Sequence, residues 1–131
     1  MIIGSPKEIF KGENRVALTP ESAKQLQKLG YTCLLETGAG INANFSDKDY
    51  SEAGAEVTKD TSKVFACPII LKVEPPSLKE LEMMNPQTTL ISALQLKTQE
   101  KSYFQKLAEK RITALAFEFI KDEDGTYPAV R

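Results

Sequence analysis

Short apolar runs alternate along the chain with stretches in which apolar residues recur about once per helical turn. "MIIGS" reads as a first strand, "RVALT" as a short extended piece, "YTCLLET" as a strand and "AEVTK" as a brief one. "CPIILKV" is a longer strand whose unbroken apolar character suits burial on both faces. "TTLISAL" and "ITALAFEFI" complete the set. Helices fall between. In "TPESAKQLQKLG" Thr19 is a good N-cap and Pro20 a good first residue; Ala23, Leu26 and Leu29 lie about a turn apart, and Gly30 offers a left-handed stop. Ser46 with Asp49, and Ser77 with Glu80, have the spacing of capping boxes and predict two further short helices. In the second of these Leu78 and Leu81 are expected to face inward, with Pro86 closing it. "TQEKSYFQKLAEKR" predicts a last helix, and Asp-Gly within "FIKDEDGTYPAV" a hairpin. Strands and helices alternating at these lengths imply βαβ units on a mostly parallel sheet, an α/β fold with flanking helices and a C-terminal hairpin.

Three residues fall where such a fold places chemistry. Arg15, in "GENRVALTP", stands directly before a helix start. It reads either as a solvated surface arginine or as a guanidinium held at a cleft, where its fork of donors suits a planar anion such as a carboxylate. Lys72 ends a run expected to be a central strand, and ligands of open α/β sheets bind outside the carboxyl ends of the strands. It marks either the point where the strand meets solvent or a second cation for the same anion. Gln95, after "TTLISAL", would open into the same crevice; it is a loop glutamine, or a hydrogen-bonding group that carries no proton at neutral pH.

A fourth signal points elsewhere. Gly38, Gly40 and Ala43 follow a strand and imitate the G-x-G-x-x-G/A dinucleotide fingerprint. The next residues are polar, however, and a helix begins only near Ser46, too late to offer its N-terminus to a phosphate. The spacing predicts a tight turn and no cofactor-binding residues here.

Composition narrows the function further. At 131 residues the chain suits one domain with a real core. Seventeen basic and eighteen acidic residues leave no electrostatic footprint for nucleic acid or for an anionic membrane. No run of eighteen apolar residues and no signal-like N-terminus occurs, so a cytoplasmic setting is expected, with small molecules or proteins as partners. Cys33 and Cys67 each lie in an apolar run and are expected to be buried and reduced. Histidine is absent, which removes the commonest acid-base group and metal ligand; no metal site is expected.

"MIIGSPKE", "ENRVALTP", "LGYTCLLETGAG", "AGAEV", "IILKV" and "NPQTTLISALQ", in this order, resemble the N-terminal region shared by alanine dehydrogenases and the alpha subunit of proton-translocating NAD(P) transhydrogenases. The resemblance runs from residue 1 to about Phe119. It implies a Rossmann-like substrate domain, of which residues 1–131 are the N-terminal part. The NAD-binding Rossmann domain and the returning helices would lie beyond it, NAD would be the cofactor of the parent enzyme, and the full-length protein would be a homo-oligomer. By the same resemblance Arg15 would pair with the carboxylate of a small amino acid or 2-oxo acid, and Lys72 would sit at the pyruvate carbonyl while hydride moves between nicotinamide and the substrate α-carbon. A cation there would stabilise charge developing on oxygen.

The acid-base histidine of alanine dehydrogenases is replaced here by Gln95, which leaves the proton-transfer role open. Transhydrogenase alpha subunits lack that histidine too, whereas "AFEFIKDEDGTYPAV" looks more like the dehydrogenase branch. The leading expectation is the substrate-domain portion of an NAD-dependent alanine dehydrogenase-like oxidoreductase, inactive by itself. The alternatives are the N-terminal domain of a transhydrogenase alpha subunit and a stand-alone carboxylate-binding or interaction module.

Overall fold

A computed structural model describes residues 1–9, 15–74, 76–92 and 101–116. Among the described residues six strands form one sheet: β1 (Ile2–Ser5), β2 (Thr32–Glu36), β3 (Glu56–Thr58), β4 (Ile69–Leu71), β5 (Thr89–Ser92) and β6 (Thr113–Ala116). Their order is β3-β2-β1-β4-β5-β6, and every pairing is parallel. The chain winds from β1 outward to β3, then crosses back to β4 and winds the other way. This is the doubly wound, Rossmann-like order, and its topological switch point lies between β1 and β4. The proposed C-terminal hairpin and Gln95 fall outside the described residues.

Parallel neighbours require crossovers, and five helices supply them: α1 (Pro20–Lys28), α2 (Asp47–Glu52), α3 (Thr61–Phe65), α4 (Leu78–Met83) and α5 (Lys101–Glu109). One layer packs Ala23 of α1 and Tyr50 of α2 on Cys33 and Leu35 of β2, together with Leu18 and Ala55. The opposite layer packs Val64 and Phe65 of α3, Leu81 of α4, and Tyr103 and Leu107 of α5 on Leu34, Ile70 and Leu90. Alternation along β2 explains the split, since successive side chains point to opposite faces. β4 is covered on both sides: Ile70 joins the second cluster and Leu71 packs against the first.

The helix caps follow the sequence closely. Thr19 accepts the Ser22 amide and Gly30 takes φ 97° just after α1; capping boxes close on Ser46 with Asp49 and on Ser77 with Glu80. Three expectations need correction. Leu29 and Leu78 are exposed, while Glu80 is buried, because its carboxylate turns back to accept the Ser77 amide at 2.8 Å. "RVALT" is not a strand; residues 17 and 18 form a bend. The helix α3 was not expected: at five residues it is too short to show a period, and its signal is Asp60, which accepts the Lys63 amide as N-cap.

Candidate functional site

At the switch point the chain leaves β1 through Pro6 and Lys7. The Lys7 amide donates to Glu36 Oε1 at the end of β2, at 2.8 Å, and this fixes the path of the next residue, Glu8. Across the crevice β4 ends at Leu71, and past Lys72 the amides of Val73 and Glu74 turn from the sheet to a side chain. Glu8 meets them. Its Oε2 accepts the Val73 amide at 2.9 Å and its Oε1 the Glu74 amide at 3.1 Å, so backbone donors that would otherwise lose a partner are satisfied. The same Oε1 lies 2.8 Å from Lys72 Nζ. This ion pair is enclosed: the Lys72 side chain is 1% exposed and that of Glu8 7%. The Lys72 amide donates to Ile91 O at 3.0 Å, tying the lysine to β5 as well.

Lys72 therefore does not mark a strand end in solvent; its ammonium is enclosed against Glu8. Arg15 meets Glu74, two residues beyond Lys72. Its guanidinium is 3.5 Å from Glu74 Oε1 and about half exposed, at 47%. The segment behind it is anchored: Tyr50 Oη donates to Leu18 O at 2.7 Å, a buried bond, and Val16, Ala17 and Leu18 line a small recess with Ser5, Pro6 and Glu8. Burial, with the charges of Asp49 and Asp47, pushes the Tyr50 phenol up to about 12, so it remains a neutral donor. Two ion pairs, Arg15 with Glu74 and Lys72 with Glu8, are thus linked through the Glu74 amide, which donates to Glu8. One half-exposed and one buried cation lie near the end of β4, each paired with a carboxylate.

The structure brings Arg15 and Lys72 beside Glu8 and Glu74, neither of which the sequence pattern singles out. No local pattern distinguishes Glu8; only the strand order, with β1 beside β4, brings it to Lys72. Ser92, at the end of β5, is fully buried, and its Oγ has no hydrogen-bond partner among the described residues.

The glycine turn after β2 is closed. Gly38, at φ 78°, donates its amide to Asp47 Oδ1 at 2.9 Å, and Thr37 Oγ1 donates to Asp47 Oδ2. These bonds hold the Asp47 carboxyl below its ordinary range, the Thr37 bond most strongly. A Cβ on Gly40 would lie 2.5 Å from the Tyr50 ring, so glycine is needed there for side-chain packing. A dinucleotide phosphate finds no cradle at this turn: the amide it would need is bound to Asp47, and the ring of Tyr50 sits against Gly40. Elsewhere burial pushes the Cys33 and Cys67 thiols up, as suits two unpaired core cysteines. Among the described residues no cluster of His, Cys, Asp or Glu could hold a metal ion, and no helix is long and apolar enough to cross a membrane.

Strand order and crevice define the class first: a doubly wound α/β domain with its candidate site at the switch point. Residues 4–131 match the family described as alanine dehydrogenase/PNT, N-terminal domain, and the chain belongs to that family. It is 45% identical over 121 residues to the NAD(P) transhydrogenase subunit alpha of Cereibacter sphaeroides, which covers 92% of this chain and 23% of the relative. It is 39% identical over 122 residues to the alanine dehydrogenase of Bacillus subtilis, covering 93% of this chain and 32% of the relative. Among solved structures an L-alanine dehydrogenase superposes with a TM-score of 0.85 at 34% identity, over 96% of this chain and 35% of that one. The chain thus spans between about a quarter and a third of the length of these relatives.

Proposed function

We propose that the chain is the N-terminal part of the substrate domain of an NAD-dependent alanine dehydrogenase-like oxidoreductase, which interconverts L-alanine with pyruvate and ammonia. The observation that supports this reading is the pairing of the enclosed Lys72 with Glu8 and of Arg15 with Glu74, two residues further along the loop after β4. Arg15 binds the substrate carboxylate by a charge-assisted, two-pronged hydrogen bond. Lys72 donates to the carbonyl oxygen, where its charge counts most because the group is shielded from water and already oriented. NAD supplies the hydride acceptor in the parent enzyme. In this reading its site lies in the remainder of the parent protein, since Asp47 and Tyr50 close the glycine turn after β2. Gln95 orients the substrate by hydrogen bonding without titrating.

A second reading rests on a specific observation: the 45% identity to a transhydrogenase alpha subunit, together with the absence of histidine from the chain. Under it the parent moves hydride between nicotinamide nucleotides and uses no amino acid. Assays of the full-length product separate the two. Reduction of NAD that depends on L-alanine, and oxidation of NADH that depends on pyruvate plus ammonium, support the dehydrogenase. Hydride exchange between NADPH and an NAD analogue, with no response to alanine or pyruvate, establishes the alternative. Absence of both activities leaves a carboxylate-binding or interaction module.

A further inference from the structure

We infer that Glu8 is a positioning residue that acts through Lys72: its carboxylate aims the Lys72 ammonium into the crevice. The inference rests on the proposed role of Lys72. An aliphatic ammonium has three donors on a flexible four-carbon stem and no preferred direction of its own. Here Glu8 Oε1, 2.8 Å from Nζ, sets that direction. Glu8 is in turn immobilised from three sides. Its two oxygens hold the amides of Val73 and Glu74, its backbone is fixed through the Lys7 amide on Glu36, and its side chain is enclosed. Because Oε1 accepts both Lys72 Nζ and the Glu74 amide, one carboxylate also sets Lys72 in register with the backbone of Glu74, whose side chain meets Arg15.

The pair is also unlike a stabilising device. Replacing a buried ion pair by apolar residues of similar volume is often neutral or favourable, so stability alone does not call for a charged pair here. Positioning of a cation does.

The test is a double-mutant cycle in the full-length protein, read as kcat and KM for pyruvate in the aminating direction. Glu8→Gln keeps the side chain's size and one oxygen acceptor but removes the charge that orients Nζ. It is expected to lower kcat about ten- to a hundredfold, as small misplacements of a catalytic group do, while KM changes less than about threefold, since Arg15 is untouched. On a Lys72→Met background the same substitution should lower kcat by less than about twofold further, because residues acting as one unit are not additive. Independent, multiplicative losses would overturn the inference and make Glu8 a loop-holding residue only. A wild-type kcat for Lys72→Met would overturn the role of Lys72 itself, which distinguishes that failure from this one. If Glu8→Gln does not fold, the cycle is run with Glu8→Asp, which keeps the charge and shortens the reach; coupled losses again support the inference and additive ones refute it.

Discussion

The turn after β2 and the crevice between β1 and β4 are made of similar parts: a strand end, loop amides in need of acceptors, and one carboxylate that reaches them. At the turn, Asp47 takes the Thr37 hydroxyl and the Gly38 amide, and the Tyr50 ring packs against Gly40. No cation takes part in these bonds. At the crevice Glu8 takes the Val73 and Glu74 amides in the same way, but it also holds the charge of Lys72 in an enclosed position. The contrast separates a strand end that has closed on itself from one that retains a directed charge. The glycine pattern is the louder of the two signals in the sequence, yet it is the crevice that holds a buried charge pair.

The largest expected effect lies at the buried pair. Lys72→Met leaves the Glu8 carboxylate enclosed without its counter-charge, which should cost about 3–5 kcal/mol, toward the lower end because two amides still bind it. Denaturant unfolding of the 131-residue chain measures this. A loss under about 1 kcal/mol would mean that Glu8 finds water and that the crevice is as open as the turn is closed. Arg15→Ala tests the exposed half of the site. Its ion pair with Glu74 is half exposed and contributes at most about 1 kcal/mol to stability, whereas loss of a charge-assisted carboxylate contact should weaken substrate affinity by about 1.5–3 kcal/mol. In the full-length protein KM for pyruvate should rise roughly ten- to a hundredfold with a smaller change in kcat.

The turn should respond to bulk and to acid, not to ligand. Gly40→Ala forces a methyl group against Tyr50 and should destabilise by about 1–3 kcal/mol, read as a lower unfolding midpoint. Asp47 gives the smallest and most conditional effect. Its folded carboxyl is held below the ordinary value, so the stability it contributes is complete above the ordinary carboxylate range and disappears as pH falls through the folded value. Asp47→Asn should therefore be less stable than the wild type near neutrality and converge with it in acid. A constant difference across that window would show that the Thr37 and Gly38 bonds do not depend on the charge.

Much of this architecture is legible in the sequence because its signals are local. Thr19, Ser46 and Ser77 cap helices by contacts three residues long, and "PIIL" is apolar on every position because β4 is covered on both faces. What escapes is decided at longer range. Helix α3 exists because two parallel strands need a crossover, although its five residues show no periodicity. Leu29 and Leu78 carry the right spacing but lie at helix margins, where the sheet no longer covers them. Of the site, Arg15 and Lys72 are visible as charges beside apolar runs, while Glu8 meets Lys72 across 64 residues of sequence. Its place follows only from the strand order.

Amide hydrogen exchange in the full-length protein, with and without saturating pyruvate, compares the two strand ends in one experiment and tests the central claim most directly. The account predicts slowed exchange in peptides carrying Lys72, Val73 and Glu74, where the carboxylate of Glu8 and the cations converge, and unchanged exchange at Gly38 to Ala43. Protection at the glycine turn with none at residues 72–74 would contradict it.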